Sequence, residues 1–391
     1  MIIDSDAHVM ETEHTWDFLA PGDEKYRPVL LAPTGDERFP STGLPGGVRR
    51  EFWFIDGKIR GFRFASLSKK EREQRSRVSG RNFNAPEEAR EMRDFRVRLN
   101  HMDRLDIDVQ VLYNTLWIDP VAERAEVEIA LCKSWNRWMA EVWKQGEGRL
   151  VWSCVAPFVS IPDAIEQMRF AKQHGAVGVT MRPFEGTRQA YDSYFYPIFE
   201  EAERLDMPIT VHIANANVPY SDFMRNSGDQ VLSTFGVFFV PATIICHAAI
   251  LSPVHELFPR LRWAFVETAA QWLPWIIADA KRRVEGQGKV FPENVLKERN
   301  IFVTCQTNDD VPYLINWAGE DNLLIGTDYG HFDPSSDIDA ITVFKKSSGL
   351  TEEQVRKILD DNPRRAYGIK VAEPALAEAS GRKGALRHRA R

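Results

Sequence analysis

Eight short apolar runs, most followed by a helix-length segment, constrain this chain more than any other feature. They are residues 1–4 (MIID), 108–114 (DVQVLYN), 150–158 (LVWSCVAPF), 176–183 (AVGVTMRP), 208–214 (PITVHIA), 262–268 (RWAFVET), 300–307 (NIFVTCQT) and 322–328 (NLLIGTD). Near-continuous apolar runs rich in β-branched residues fit strands buried on both faces, as in a parallel sheet covered by helices. Between them, 125–145, 161–174 and 193–206 carry apolar residues at helical spacing. The second has Pro162 near its start and Gly175 just past its end. Residues 241–251 (PATIICHAAIL) fit either a ninth strand carrying His247 or a helix. Ile244, Ile245, Ala248, Ala249 and Leu251 lie on one helical face, and a parallel crossover between 214 and 262 needs a helix, so the helix is the stronger reading. Eight β/α units predict an α/β fold, a (β/α)8 TIM barrel, with a doubly wound open sheet as the alternative.

The placement of polar residues favours the barrel. Asp6, His8, Arg182, His212, Glu267, Gln306 and Asp328 fall at or just past the C-terminal ends of their strands, where barrel active sites gather. Residues 15–100 are too long for one loop. They hold a hairpin signal at 51–64 with Asp56-Gly57 at its turn, and a charged helical stretch at 86–105 leading into strand two. A single domain is expected over 1–371, with 15–85 as an inserted lid or dimerisation segment. Residues 351–369 predict a terminal helix stopped at Asn362-Pro363, and the basic tail 372–391 is expected to be disordered.

Composition narrows the function classes. The net charge of −6 argues against nucleic acid as a partner, and no apolar run approaches the length of a membrane span. The four cysteines share no CxxC spacing, which fits buried thiols in a cytoplasmic protein rather than a zinc knuckle.

Alternation along strand one predicts that Asp4, Asp6 and His8 share a face. A lone strand-end His is usually a hydrogen-bonded structural residue, and a lone Asp after Gly-Thr is usually a cap or turn. Asp6, His8, His212 and Asp328 together, at the ends of strands one, five and eight, point instead to a divalent ion. Arg182 could grip a substrate carboxylate or serve in an ion pair. Trp117, Trp272 and Tyr329 could wall a pocket or simply pack. His247 and His331 are spare ligands or ordinary structural histidines, and Glu11 and His14 are outlying candidates.

Five stretches together resemble the amidohydrolase superfamily, in the branch that includes aminocarboxymuconate semialdehyde decarboxylase and resorcylate decarboxylase. They are DSDAHVME (4–11), FYPIFEEAERLDMPITVH (195–212), HELFPRLRWAFVETAAQWLPWII (255–277), LLIGTDYGHFD (323–333) and ILDDNPRRAYGI (358–369). The resemblance implies metal ligands at Asp6, His8, His212 and Asp328. It also exposes two departures. Asp6 stands where the family often has His, and Glu267 stands where the decarboxylases carry a catalytic His. The more anionic site leaves zinc, manganese and iron all open. Strand four has no lysine to bridge two metals, so Glu267 would have to do so.

The expected function is metal-dependent decarboxylation or hydrolysis of a small aromatic carboxylate. Glu267 and Asp328 are the expected catalytic groups, and Arg182, Trp272 and His331 the expected substrate-binding ones. The runner-up is a dinuclear iron or manganese/iron oxygenase with Glu267 and His247 or His331 on a second ion. A third reading is a non-catalytic subunit. A homodimer, or a hetero-oligomer with a related subunit, is expected.

Overall fold

In the computed structural model, the described residues are 1–31, 51–62, 68–226, 233–346 and 349–370. The eight predicted strands form one eight-stranded sheet in sequence order. They are β1 (Ile3–His8), β2 (Val109–Tyr113), β3 (Leu150–Val155), β4 (Ala176–Met181), β5 (Ile209–His212), β6 (Trp263–Val266), β7 (Ile301–Cys305) and β8 (Leu323–Ile325). All neighbouring pairs are parallel. The ring closes just beyond β8, where the Thr327 and Asp328 amides donate to the Asp6 carbonyl and the His8 amide donates to the Tyr329 carbonyl. The fold is a (β/α)8 barrel.

The barrel interior is filled by Ile3, Val109, Val111, Tyr113, Val151, Ala264, Val266, Phe302 and Leu324. Its N-terminal end is plugged by the helix Asn362–Tyr367, whose Tyr367 hydroxyl meets the Tyr113 hydroxyl at 3.0 Å and the Ser5 carbonyl at 3.1 Å. The larger apolar core lies between the outer face of the sheet and its helices. Residues 240–251 are helical, so the strand count stays at eight. All four cysteines are free and buried.

Three local expectations need correction. Residues 86–105 are not one helix. Glu87–Arg90 ends at once, Met92 adopts a φ of 53°, and the Asp94 carboxylate caps the Arg96 and Val97 amides to start a new helix, Phe95–Arg104. Pro363 does not stop the last helix. A π turn at Lys357–Asp361 precedes it, and the helix continues to Tyr367 before Gly368 ends it. Nor do Asp4, Asp6 and His8 share a face. Asp4 pairs with Gln110 but Ala7 with Leu112, so a bulge inserts one residue between them. Asp4 thus faces outward with Gln110, while Asp6 and His8 face inward.

The long connection after β1 carries a three-stranded antiparallel sheet, Val29–Leu31, Phe52–Ile55 and Lys58–Phe62. Asp56 (φ 52°) and Gly57 (φ 77°) make its tight turn, as expected of Asp-Gly. Trp53 is buried edge-on against Trp16, 5.8 Å between ring centres. Asp56 receives the Arg124 guanidinium at 2.5 Å. The described part of this segment is therefore fastened to the barrel. The predicted tail 372–391 lies outside the described residues.

Candidate metal centre

At the C-terminal end of β1, the bulge turns Asp6 and His8 into the barrel mouth. His8 Nδ1 donates to the Asn114 carbonyl at 2.8 Å, which places the ring proton on Nδ1 and leaves a lone pair on Nε2. That Nε2 lies 3.4 Å from Asp6 Oδ1, 3.6 Å from Glu267 Oε2 and 3.4 Å from Asp328 Oδ1. His212, the last residue of β5, points its Nε2 at the same carboxylates, 3.6 Å from Asp6 Oδ1 and 3.5 Å from Glu267 Oε2. Glu267 follows β6 in the left-handed region (φ 60°), its amide held by the Thr304 hydroxyl at 3.0 Å. Asp328 is also left-handed (φ 47°), and its Oδ2 accepts the Ser336 hydroxyl at 2.5 Å. Two non-glycine residues in this conformation store strain where side-chain aim matters.

Among the described residues, these donors form two overlapping sets. Asp6, His8, His212 and Glu267 make one. His8, Glu267, Asp328 and His331 make the other. Within each set the ligand atoms lie within 4.8 Å of one another, and every residue is buried. Asp6 Oδ1, His8 Nε2, His212 Nε2 and Asp328 Oδ1 are buried with no hydrogen-bond partner. Lone pairs on nitrogen and on carboxylate oxygen cannot satisfy one another, so this donor set fits a divalent cation bound by nitrogen and oxygen.

The electrostatics agree. Burial, with the charges of Asp333 and Asp6 nearby, pushes Glu267 well above the usual carboxylate range. Burial and the Glu267 charge do the same to Asp328. This many buried acids cannot all ionise unless a cation joins them.

His8, His212, Glu267 and His331 of the cluster form the floor of a cleft walled by Trp117, Ile118, Phe158 and Arg182. Arg182 is bound to Glu185 through Nε at 2.9 Å and to Glu128 at 3.2 Å, so it serves the ion pair and also lines the cleft. Its Nη1 is buried without a partner.

Other expected residues lie elsewhere. His247 sits on the outer helix Val240–Leu251 and pairs with Asp279 at 3.0 Å, because a helix between β5 and β6 packs outside the barrel; it is not a ligand here. Trp272 donates its indole N–H to the Thr268 carbonyl and lies edge-on to Phe265, whose side chain packs in the outer core, so it does not wall the cleft. Tyr329 is fully buried, bonded to His101 at 2.6 Å under the Arg98 guanidinium. His331 joins the ligand cluster rather than the cleft wall alone. Glu11 accepts from the Thr115 amide and the Trp135 indole, and His14 is a surface residue paired with Asp17. Gln306 lies in a separate cleft beside Asp309.

Sequence reasoning missed Asp333, Asn114 and Thr115, all of which line the cleft. Asn114 and Thr115 directly follow an apolar strand, the same signal that flagged His212. Asp4, expected to share a face with Asp6 and His8, faces outward and has a structural role. It accepts from the Thr327 amide at 2.9 Å, the Thr327 hydroxyl at 2.6 Å and the Gln110 amide at 2.9 Å, so it clamps the β8 end from outside.

The class of protein follows from comparison. The family model for amidohydrolases matches residues 3–369, and the chain belongs to that family. A 2-amino-3-carboxymuconate-6-semialdehyde decarboxylase of Dictyostelium discoideum is 22% identical over 269 residues, 64% of this chain and 72% of that protein. An amidohydrolase from Mycobacterium avium subsp. paratuberculosis superposes with a TM-score of 0.73 at 18% identity, covering 95% of this chain and 98% of its own. A dihydroxybenzoic acid decarboxylase from Polaromonas, solved with bound manganese and the inhibitor 2-nitroresorcinol, superposes with a TM-score of 0.58 at 18% identity over 70% of this chain and 86% of its own. These relatives lend no support to an oxygenase or a non-catalytic subunit. Among the described residues, no helix is long and apolar enough to cross a membrane.

Proposed function

We propose that this chain is a divalent-metal enzyme that decarboxylates a small aromatic carboxylate. The observation that carries the reading is the convergence of Asp6, His8, His212 and Glu267 on one point at the floor of an aromatic-walled cleft. A divalent ion there supplies Lewis-acid polarisation of the substrate's oxygens. Its ligands are Asp6, His8, His212 and Glu267, the last a ligand rather than a free proton carrier. Trp117 and Phe158 hold the ring, and Arg182, which lines the same cleft, meets the substrate carboxylate. When the bond to the carboxyl carbon breaks, CO2 leaves and the electron pair stays on the ring carbon. Asp333 gives that carbon a proton. Burial raises its carboxyl above the usual range, and it lines the cleft. The decarboxylase relatives support the reaction class.

The test is turnover of a panel of hydroxybenzoates and related carboxylates by the manganese-loaded enzyme in D2O. Release of CO2 with deuterium at the vacated carbon is expected. Hydrolytic turnover without CO2 would replace this reading. Asp333→Asn should lower kcat by about 100-fold or more while leaving metal content unchanged.

A further inference from the structure

We propose that the substrate is longer than one ring: beyond the ring held at the metal it carries a flat, uncharged, apolar arm, which lies in a second cleft beside Arg182. This rests on the reading above and adds the substrate's shape to it.

Phe158, Arg182 and Glu185 line both the metal cleft and a second, neighbouring cleft. The second cleft is walled by Val159, Tyr194, Phe195, Ala216 and Val218, and none of the metal ligands lines it. Its walls come from the segments that follow β3, β4 and β5, at the same end of the barrel as the metal ligands. A substrate anchored at the metal and on Arg182 therefore has room to continue into it.

The wall suits a flat apolar group. Phe158 lies edge-on to Phe195, 5.7 Å between ring centres, and Phe195 lies edge-on to Tyr194 at 5.1 Å. The row thus runs from a ring shared by both clefts to rings that line the second alone. The Tyr194 hydroxyl donates to the Phe158 carbonyl at 3.2 Å, and the Arg188 guanidinium covers the Tyr194 ring at 4.3 Å. The row is therefore fixed before a ligand arrives, which lowers the cost of ordering it. Val159 and Val218 keep 43% and 49% of their surface in water. A scattered apolar residue on a surface needs no explanation, but these two line one cleft that already has aromatic walls. An arm seated there gains by removing apolar area from water. The charges around the cleft exclude an anionic arm. Glu123, Glu128 and Glu185 outnumber Arg182 and Arg188, and Arg182 is already bound to Glu185 at 2.9 Å and to Glu128 at 3.2 Å.

The test compares salicylate with its phenyl-substituted derivatives, one for each open ring position, on the manganese-loaded full chain. Calorimetric titration gives Kd, and kcat/KM is measured wherever CO2 is released. At least one phenyl isomer should bind about 10-fold or more tightly than salicylate itself. Val159→Trp and Val218→Trp, which crowd the second cleft from half-exposed positions, should each remove that gain. Both should leave the Kd of salicylate unchanged, which also shows that the barrel is intact. If no isomer gains over salicylate, or if the gain survives both variants, the second cleft is not the seat of an arm. Tighter binding of an isomer without CO2 release would overturn the decarboxylase reading and leave the subsite standing. CO2 release from salicylate with no gain from any phenyl group would do the reverse. Binding of none of these ligands would overturn both.

Discussion

A Cβ at Gly326 would stand 2.1 Å from the Asp6 Cβ and 2.8 Å from its amide. Strand one and the end of strand eight approach this closely because the Asp6 carbonyl accepts two amides from the β8 side. Gly326→Ala must push Asp6 away or open the ring. It should cost about 3 kcal/mol of stability and abolish tight metal binding, measured by denaturant unfolding and by metal content. An ordinary stability and full metal loading would refute the close approach. The sequence flagged Asp6, His8, His212, Glu267 and Asp328 because a polar side chain ending an apolar strand needs a reason. It could not place Asp4, because the bulge that reverses its direction leaves no mark in DSDAH. It left both His331 and His247 as spare ligands, although the helix read at 241–251 already pointed His247 away from the mouth. That the segment carrying His331 lies over the barrel mouth is a tertiary fact.

Between elements, the helices Ile161–Gln173 and Tyr196–Leu205 are joined by Glu201, which receives Arg169 at 2.7 Å and Arg204 at 2.5 Å. The Arg204 contact chiefly, with Arg169, lowers the Glu201 carboxyl to about 2. A carboxylate lowered in the folded state stabilises above its unfolded pKa and loses that contribution as pH falls through the folded value. Glu201→Gln should therefore melt about 1–2 °C below the parent at pH 7, with the gap closing between about pH 4.5 and 2. Scanning calorimetry across that range checks it, and a gap independent of pH would exclude the ion-pair explanation. The strands were legible because burial on both faces writes an unbroken apolar run. The breaks at Met92 and at the π turn before Pro363 were not, since each depends on backbone geometry that residue types only permit.

For the whole molecule, ligands from the ends of β1, β5 and β6 meet at one point, so an ion there ties together parts of the ring far apart in sequence. Any ion that binds only the folded chain adds stability by mass action, ~3–4 kcal/mol at a hundred to a thousand times its dissociation constant. Chelation should lower the melting temperature by several degrees, with manganese restoring it. A melting temperature indifferent to chelator would count against metal in this cluster. The barrel itself was readable from its period of strand and helix. The packing of the inserted sheet against Trp16 was not, because nothing local tells a fastened insertion from a loose one.

The clasp between Asp4 and Thr327 joins residues 323 apart. A chain made from its N-terminus therefore holds one edge of its first strand open until nearly the last strand emerges from the ribosome. Exposed edges recruit other strands, and charge on the edge is a common protection. In water Asp4 and Asp6 are ionised, so the acids buried in the finished protein act meanwhile as guards of a nascent edge. Asp4→Val would remove one guard as well as the clasp, and would be expected to show first as aggregated chains during expression.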